Sequence, residues 1–151
     1  MFIFASVLLQ IKLLMADERA KIFDPLRKKR VVLTPEEQVR QYFIHWLHNV
    51  KGYPLTLMMS EHTISYNRRT FRCDIVCFDR KLTPLMVVEC KAPGVKIDNS
   101  VIEQVTRYNM ALNVRFVAVT NGITTFALAL DAKEQKYLYI DDIPEFAKTQ
   151  E

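Results

Sequence analysis

No stretch of this 151-residue chain stays apolar for the ~20 residues that a membrane-spanning helix needs. The nearest approach, residues 1–15, is interrupted by Gln10 and Lys12. It also has neither a basic leading region nor a small-residue cleavage site, so a secretory signal is not expected. Cysteine is scarce: Cys73, Cys77 and Cys90 make an odd count, and no CxxC occurs. All three sit in apolar, strand-like surroundings, which points to a reducing compartment and a cytoplasmic location. Buried small side chains are the preferred reading, with zinc ligation or nucleophilic chemistry as the alternatives. No internal repeat or low-complexity tract is present. What remains is the mix of an ordinary globular protein, half apolar and one quarter charged. The length predicts one domain over residues 1–151, with 1–8 a poorly defined start. A net charge of +4 and a pI near 9.0 suit a polyanionic partner.

Residues 9–15 and 20–23 read as two strands joined by a polar turn, an N-terminal β-hairpin. Asp24-Pro25 ends the second strand, and Arg27, Lys28, Lys29 and Arg30 follow as a basic connecting face suited to phosphate contact. Thr34-Pro35-Glu36-Glu37 is a helix start: Thr34 caps, Pro35 takes the first helical position, and Glu37 completes a capping box. Val39, Phe43, Trp46 and Val50 then recur at helical spacing. On the wheel Glu36 lies about fifty degrees from the centre of that stripe, with Glu37 nearly opposite, so Glu36 is predicted to tilt inward. His45 and His48 read as helix surface rather than metal ligands. Gly52-Tyr53-Pro54 closes the helix.

A weaker strand signal over 56–66 leads through Asn67-Arg68-Arg69, a turn, into a clear strand over 70–78. Simple alternation puts Phe71, Cys73, Ile75 and Cys77 on one face of that strand and Arg72, Asp74 and Val76 on the other. After a polar connection, Met86, Val87 and Val88 form a run too short for a helix and suited to a strand buried on both faces. Its end carries Glu89 and Lys91 on one face and Val88 and Cys90 on the other. Asp98-Asn99-Ser100 caps a helix reaching about residue 112, striped by Val101, Val105, Tyr108 and Leu112, with Gln104 one turn before Tyr108. Strands over 115–120, 123–130 and 136–140 complete the pattern, Asn121-Gly122 being a two-residue turn signal. A helix between two buried strands implies a parallel pair inside a mixed sheet, hence an α/β fold with helices on the sheet faces.

Several polar groups sit where apolar ones are expected: Glu36, Asp74, Glu89, Lys91 and Gln104. The topology brings them to one edge of the sheet. Two carboxylates a few ångströms apart repel by about 4 kcal/mol at an effective dielectric of 20, and a shared cation relieves this. Asp74, Glu89 and the Cys90 carbonyl offer the hard oxygens that Mg2+ or Mn2+ prefers. Such an ion polarises a phosphate and acidifies its bound water, with Lys91 beside it to orient that water and offset charge. Gln104 is placed to hold Lys91 or the nucleophile.

Asp74 followed by Glu89-Cys90-Lys91 resembles the Asp…Glu-X-Lys core of the PD-(D/E)XK nuclease superfamily. Gln104-Val105-Thr106-Arg107-Tyr108 is similar to the Gln-x-x-x-Tyr helix motif of its RecB-like branch. The strings from Ile22 to Lys29, Leu33 to Glu37, Tyr108 to Met110 and Val119 to Gly122 narrow the likeness. They resemble small proteins related to the N-terminal nuclease domain of type I restriction enzyme R subunits (HsdR). The resemblance implies a restriction-endonuclease-like mixed sheet and Mg2+-dependent cleavage of DNA phosphodiesters. Asp74 and Glu89 would be metal ligands and Lys91 the catalytic lysine, with Gln104 in the catalytic set and Tyr108 supporting it. A glutamate of the first helix often joins such sites, and Glu36, followed by Arg40, fits that place better than Glu37. The 151 residues show no helicase motor or DNA-recognition domain, so a helicase or specificity subunit in trans, or a homodimer, is expected. Arg27 to Arg30, with Arg68 and Arg69, are the expected DNA contacts. Two other readings compete with the enzyme: a non-catalytic DNA- or partner-binding module keeping the fold, and a structural protein whose ion pairs close a sheet edge.

Overall fold

Two local signals set the bounds of the first long helix. In the computed structural model, which describes residues 20–150, helix α1 runs Pro35–Lys51. The Thr34 hydroxyl accepts the Glu37 N–H at 3.1 Å, and Gly52 closes the helix at φ 74°, a left-handed conformation that costs glycine nothing. The return half of the capping box is not made, because the Glu37 carboxylate is taken by Arg27, Arg40 and Gln41. The expected orientation is therefore reversed: Glu37 is 6% exposed, whereas the Glu36 side chain is 49% exposed. The physical reason is a second cover on the helix. One side packs on the sheet, and the turn carrying Leu26 and Arg27 lies against another. The buried sector is thus wider than the apolar stripe, taking in Gln38, Arg40 and Gln41, while Val50 is exposed.

That turn belongs to an antiparallel hairpin, β1 (Lys21–Asp24) with β2 (Lys29–Val32). The N-terminal hairpin is present, but its second strand is Lys29–Val32. The expected partner, residues 9–15, lies outside the described residues. The stretch expected to be a connecting face is thus half turn and half strand.

The main sheet has six strands in chain order: β3 (Met58–Tyr66), β4 (Arg69–Phe78), β5 (Pro84–Cys90), β6 (Phe116–Thr120), β7 (Thr125–Asp131) and β8 (Lys136–Ile140). Among the described residues only β5 and β6 pair in parallel, and α2 (Asn99–Met110) lies between them in sequence, capped by Asp98, which accepts the Val101 N–H at 3.1 Å. This is the mixed, helix-flanked sheet that the alternation of signals predicts. Asn67 and Arg68 take φ of 48° and 63° and join β3 to β4 in two residues. Asn121-Gly122 instead opens a four-residue connection, 121–124, since Thr120 pairs with Thr125. The Asn121 side-chain carbonyl accepts the N–H groups of Ile123 and Thr124, a local bond that lengthens the turn.

Simple alternation fails along β4. Ile75 and Cys77 pack with Val39, Phe43 and Leu47 of α1, but Phe71 and Cys73 pack with Val76 and Val87 on the side of α2. Strand β3 does the same: Met58 belongs to the α1 cluster and Ile64 to the other. The switch falls at Glu61 and Asp74. Glu61 sits at φ 51°, and the ladder pairs Ser60 with Ile75 and His62 with Cys73 without pairing the residues between. A local roll of the hairpin therefore turns its outer half over.

The three cysteines are free and buried. Burial first, then the charges of Glu89 and Asp74, push the Cys73 thiol up to about 12. Among the described residues, no helix is long and apolar enough to cross a membrane.

Candidate active site

Strands β4 and β5 carry the two acids predicted to meet. Their ladder pairs Ile75 with Val88, and one step further sets Asp74 opposite Glu89. Asp74 is kept in place from both sides: one oxygen accepts the Cys90 N–H at 2.7 Å and the other accepts Arg40 at 3.0 Å. Glu89 and Lys91 leave β5 by the same face, as alternation requires, with Nζ 3.5 Å from the Glu89 carboxylate. The Glu89 carboxyl is pushed up to about 7, by burial first and then by the negative charge of Asp74, while Lys91 opposes the rise.

Arg40 is the residue that sequence reasoning valued only as a neighbour of Glu36. It is 3% exposed and reaches four carboxylates: Glu36 at 3.1 Å, Glu61 at 3.0 Å, Asp74 at 3.0 Å, and Glu37. Burial works against its charge, and Glu37 and Asp74 more than offset that, so the guanidinium is held even more firmly protonated. Glu61 was likewise missed. Burial alone would raise its carboxyl, but Arg72 and Arg40 hold it below the usual range. The available signal was the spacing of Glu36 and Glu37 four and three residues before an arginine on one helix.

Behind this group lies a second layer. Asp24 is fully buried and accepts from Arg27, the Leu26 N–H and the Ser60 hydroxyl. Burial would raise its carboxyl, yet these donors bring it down. Arg27 also binds Glu37, so an unbroken chain of ion pairs runs from the hairpin through Asp24, Arg27, Glu37 and Arg40 to Asp74. Arg27, expected among the phosphate contacts, is here engaged on both sides as an internal tie, its side chain 19% exposed. The cause is the tight turn at Lys28, φ 54°, which folds Arg27 inward while Lys28, Lys29 and Arg30 remain exposed.

The Gln-x-x-x-Tyr pair divides. Tyr108 packs edge-on against Phe71, ring centroids 4.7 Å apart, and its hydroxyl accepts the Arg72 N–H at 2.9 Å, bracing β4 two residues before Asp74. The Gln104 side chain is exposed and makes no hydrogen bond among the described residues, so the expected bond to Lys91 is not formed. Arg68 and Arg69 are exposed at the tip of the β3–β4 hairpin, Arg69 lying over the Phe71 ring. The Cys90 thiol is buried and raised well above its ordinary value by burial and then by Asp74, leaving the backbone as the part of that residue able to serve chemistry.

Among solved structures the chain is similar to a fragment described as an HsdR subunit of a type I restriction enzyme from Vibrio vulnificus YJ016. That match has a TM-score of 0.53 at 18% identity and covers 78% of this chain but 25% of the other, so the chain spans about a quarter of its length. No curated protein matches the chain. The family model described as the type I restriction enzyme R protein N terminus (HSDR_N) matches residues 35–144, which takes in α1, the acid pair, Lys91 and α2. The chain belongs to that family.

Proposed function

We propose that the chain is a Mg2+- or Mn2+-dependent DNA endonuclease domain that hydrolyses phosphodiesters. The observation that carries this is the acid pair with its lysine: Glu89 stands opposite Asp74, its carboxyl driven up to about 7 by burial and then by the charge of Asp74, with Lys91 3.5 Å away. Such a pair is costly to keep without a purpose, and cation binding returns the cost.

The donor set fits magnesium, which needs only one or two carboxylates and fills its octahedron with water and substrate phosphate. Among the described residues no three His, Cys, Asp or Glu side chains group to hold a metal ion, so the pair would have to be completed by backbone, water and substrate oxygens. Asp74 and Glu89 would hold the ion, with the Cys90 carbonyl as a third oxygen. The ion would supply a Lewis acid and a water of lowered pKa. Lys91 orients the attacking water and offsets charge building on the phosphate oxygens. Lys28, Lys29, Arg30, Arg68 and Arg69, all exposed, serve as phosphate contacts along the duplex. Target choice belongs to a helicase or specificity subunit supplied in trans, or to a second copy, in a cytoplasmic restriction system.

A second reading has its own support. Both Asp74 oxygens are already engaged and Gln104 does not reach the site, as suits a DNA- or partner-binding module that keeps the fold without the chemistry. Supercoiled plasmid incubated with Mg2+ or Mn2+ separates the two. Nicking by the protein that disappears in Lys91→Ala supports the enzyme. Equal nicking by both proteins, or by neither, removes it.

A further inference from the structure

Arg40 stands out among the buried charges. A guanidinium that is 3% exposed lies among Glu36, Glu37, Glu61 and Asp74, drawn from a helix and two strands. One of its terminal nitrogens serves Glu36, Glu61 and Asp74 together, the other serves Glu37, and Nε has no partner among the described residues. A buried arginine that leaves one donor unused is fixed by the carboxylates around it rather than by its own needs. Glu37 is itself fixed by Arg27 and the Gln41 amide. The fork is thus set from behind and offers a rigid edge to Asp74.

Asp74 needs such an edge. It sits where β4 changes face and where the ladder to β3 lapses, so the backbone alone does not aim its side chain. The opposing contact is the Cys90 N–H, in the peptide bond that follows Glu89. We infer that Arg40 is the positioning residue for Asp74, clamping that carboxylate between its own fork and the Cys90 N–H so that it faces Glu89. Arg40 also neutralises Glu36 and Glu61, keeping these nearby acids from drawing a cation away from the Asp74–Glu89 pair. The consequence for metal binding rests on the nuclease reading. The clamp itself does not.

The test compares wild type with Arg40→Lys, which keeps the charge and loses the fork, and with Arg40→Gln. The first measurement is amide hydrogen exchange without metal. Cys90 donates to a side chain, whereas the amides of the central strands donate along the ladders. Exchange at Cys90 is expected to quicken about tenfold or more in both variants while central amides change little. The second is Mn2+ affinity, read from the electron paramagnetic resonance of unbound Mn2+, expected to weaken about tenfold in Arg40→Lys although no positive charge is lost. Unchanged protection at Cys90, or one common factor for every amide, would overturn the proposal, the latter by showing that Arg40 serves only the fold. Should Arg40→Gln not fold, Glu61→Gln removes one pin and keeps Arg40. A smaller but selective rise at Cys90 is then expected, and no rise counts against the clamp. A wild type that neither binds Mn2+ nor nicks DNA sinks the nuclease reading, while the exchange comparison still decides the clamp.

Discussion

Glu89→Gln probes the acid pair through stability alone. Glu89 has its carboxyl raised from an ordinary 4.5 to about 7 in the folded chain. Between those pH values the folded state holds a proton that the unfolded state has released, so stability falls as pH rises. The favourable contribution is complete below 4.5 and is lost on passing about 7. At about 1.4 kcal/mol per pH unit, the full difference is about 3 kcal/mol. The side chain keeps 29% of its exposure, and solvent screening brings the figure to about 2 kcal/mol. Glutamine keeps the shape and removes the charge. In EDTA, Glu89→Gln should therefore raise Tm at pH 8 by about 4–8 °C and leave it nearly unchanged near pH 4.5. Differential scanning calorimetry at both pH values reads this directly. Added Mn2+ should raise the Tm of wild type at pH 8 and not that of the variant. Equal shifts at the two pH values would mean that packing, not charge, distinguishes the side chains. No gain at pH 8 would mean that Asp74 and Glu89 do not strain one another, and the argument for a shared cation would fall.

Arg27→Ala leaves buried Asp24 without its cation and Glu37 with Arg40 alone, and should cost about 3 kcal/mol or more in urea denaturation. The salt dependence of its DNA affinity should match wild type, whereas Lys29→Ala and Arg30→Ala should each flatten that dependence, as fluorescence anisotropy at several salt concentrations will show. Cys73, Cys77 and Cys90 are buried with raised pKa values, so a thiol reagent at pH 8 should leave them unmodified until denaturant is added.

The sheet was legible because its signals are local. Thr34-Pro35 and Asp98 cap the helices where expected, and the Met86–Val88 run is the buried strand it resembles. The meeting of Asp74 with Glu89 followed from counting residues back from one short connection. What was not legible depends on contacts distant in sequence. Glu36 and Glu37 were placed from a wheel that assumes one buried side, but the hairpin turn supplies a second. The basic run at 27–30 looked uniform because charge does not reveal which residue a tight turn folds inward. Alternation along β4 was read through Asp74, although a roll there exchanges the faces. That roll requires Glu61 in a left-handed conformation, which glutamate rarely adopts and whose sequence gives no warning.

The rolled hairpin also has a metric consequence. Its outer half is braced against α2 through Phe71 and Tyr108, so the arginine-bearing tip cannot swing freely relative to the acids. Five residue steps along β4 take the chain from Arg69 to Asp74, a span of about 16 Å at the usual rise. Along a duplex that is about five base pairs at 3.4 Å each. On the proposed nuclease reading, a strand gripped by the tip would thus meet the acids roughly half a helical turn away, the hairpin setting that distance.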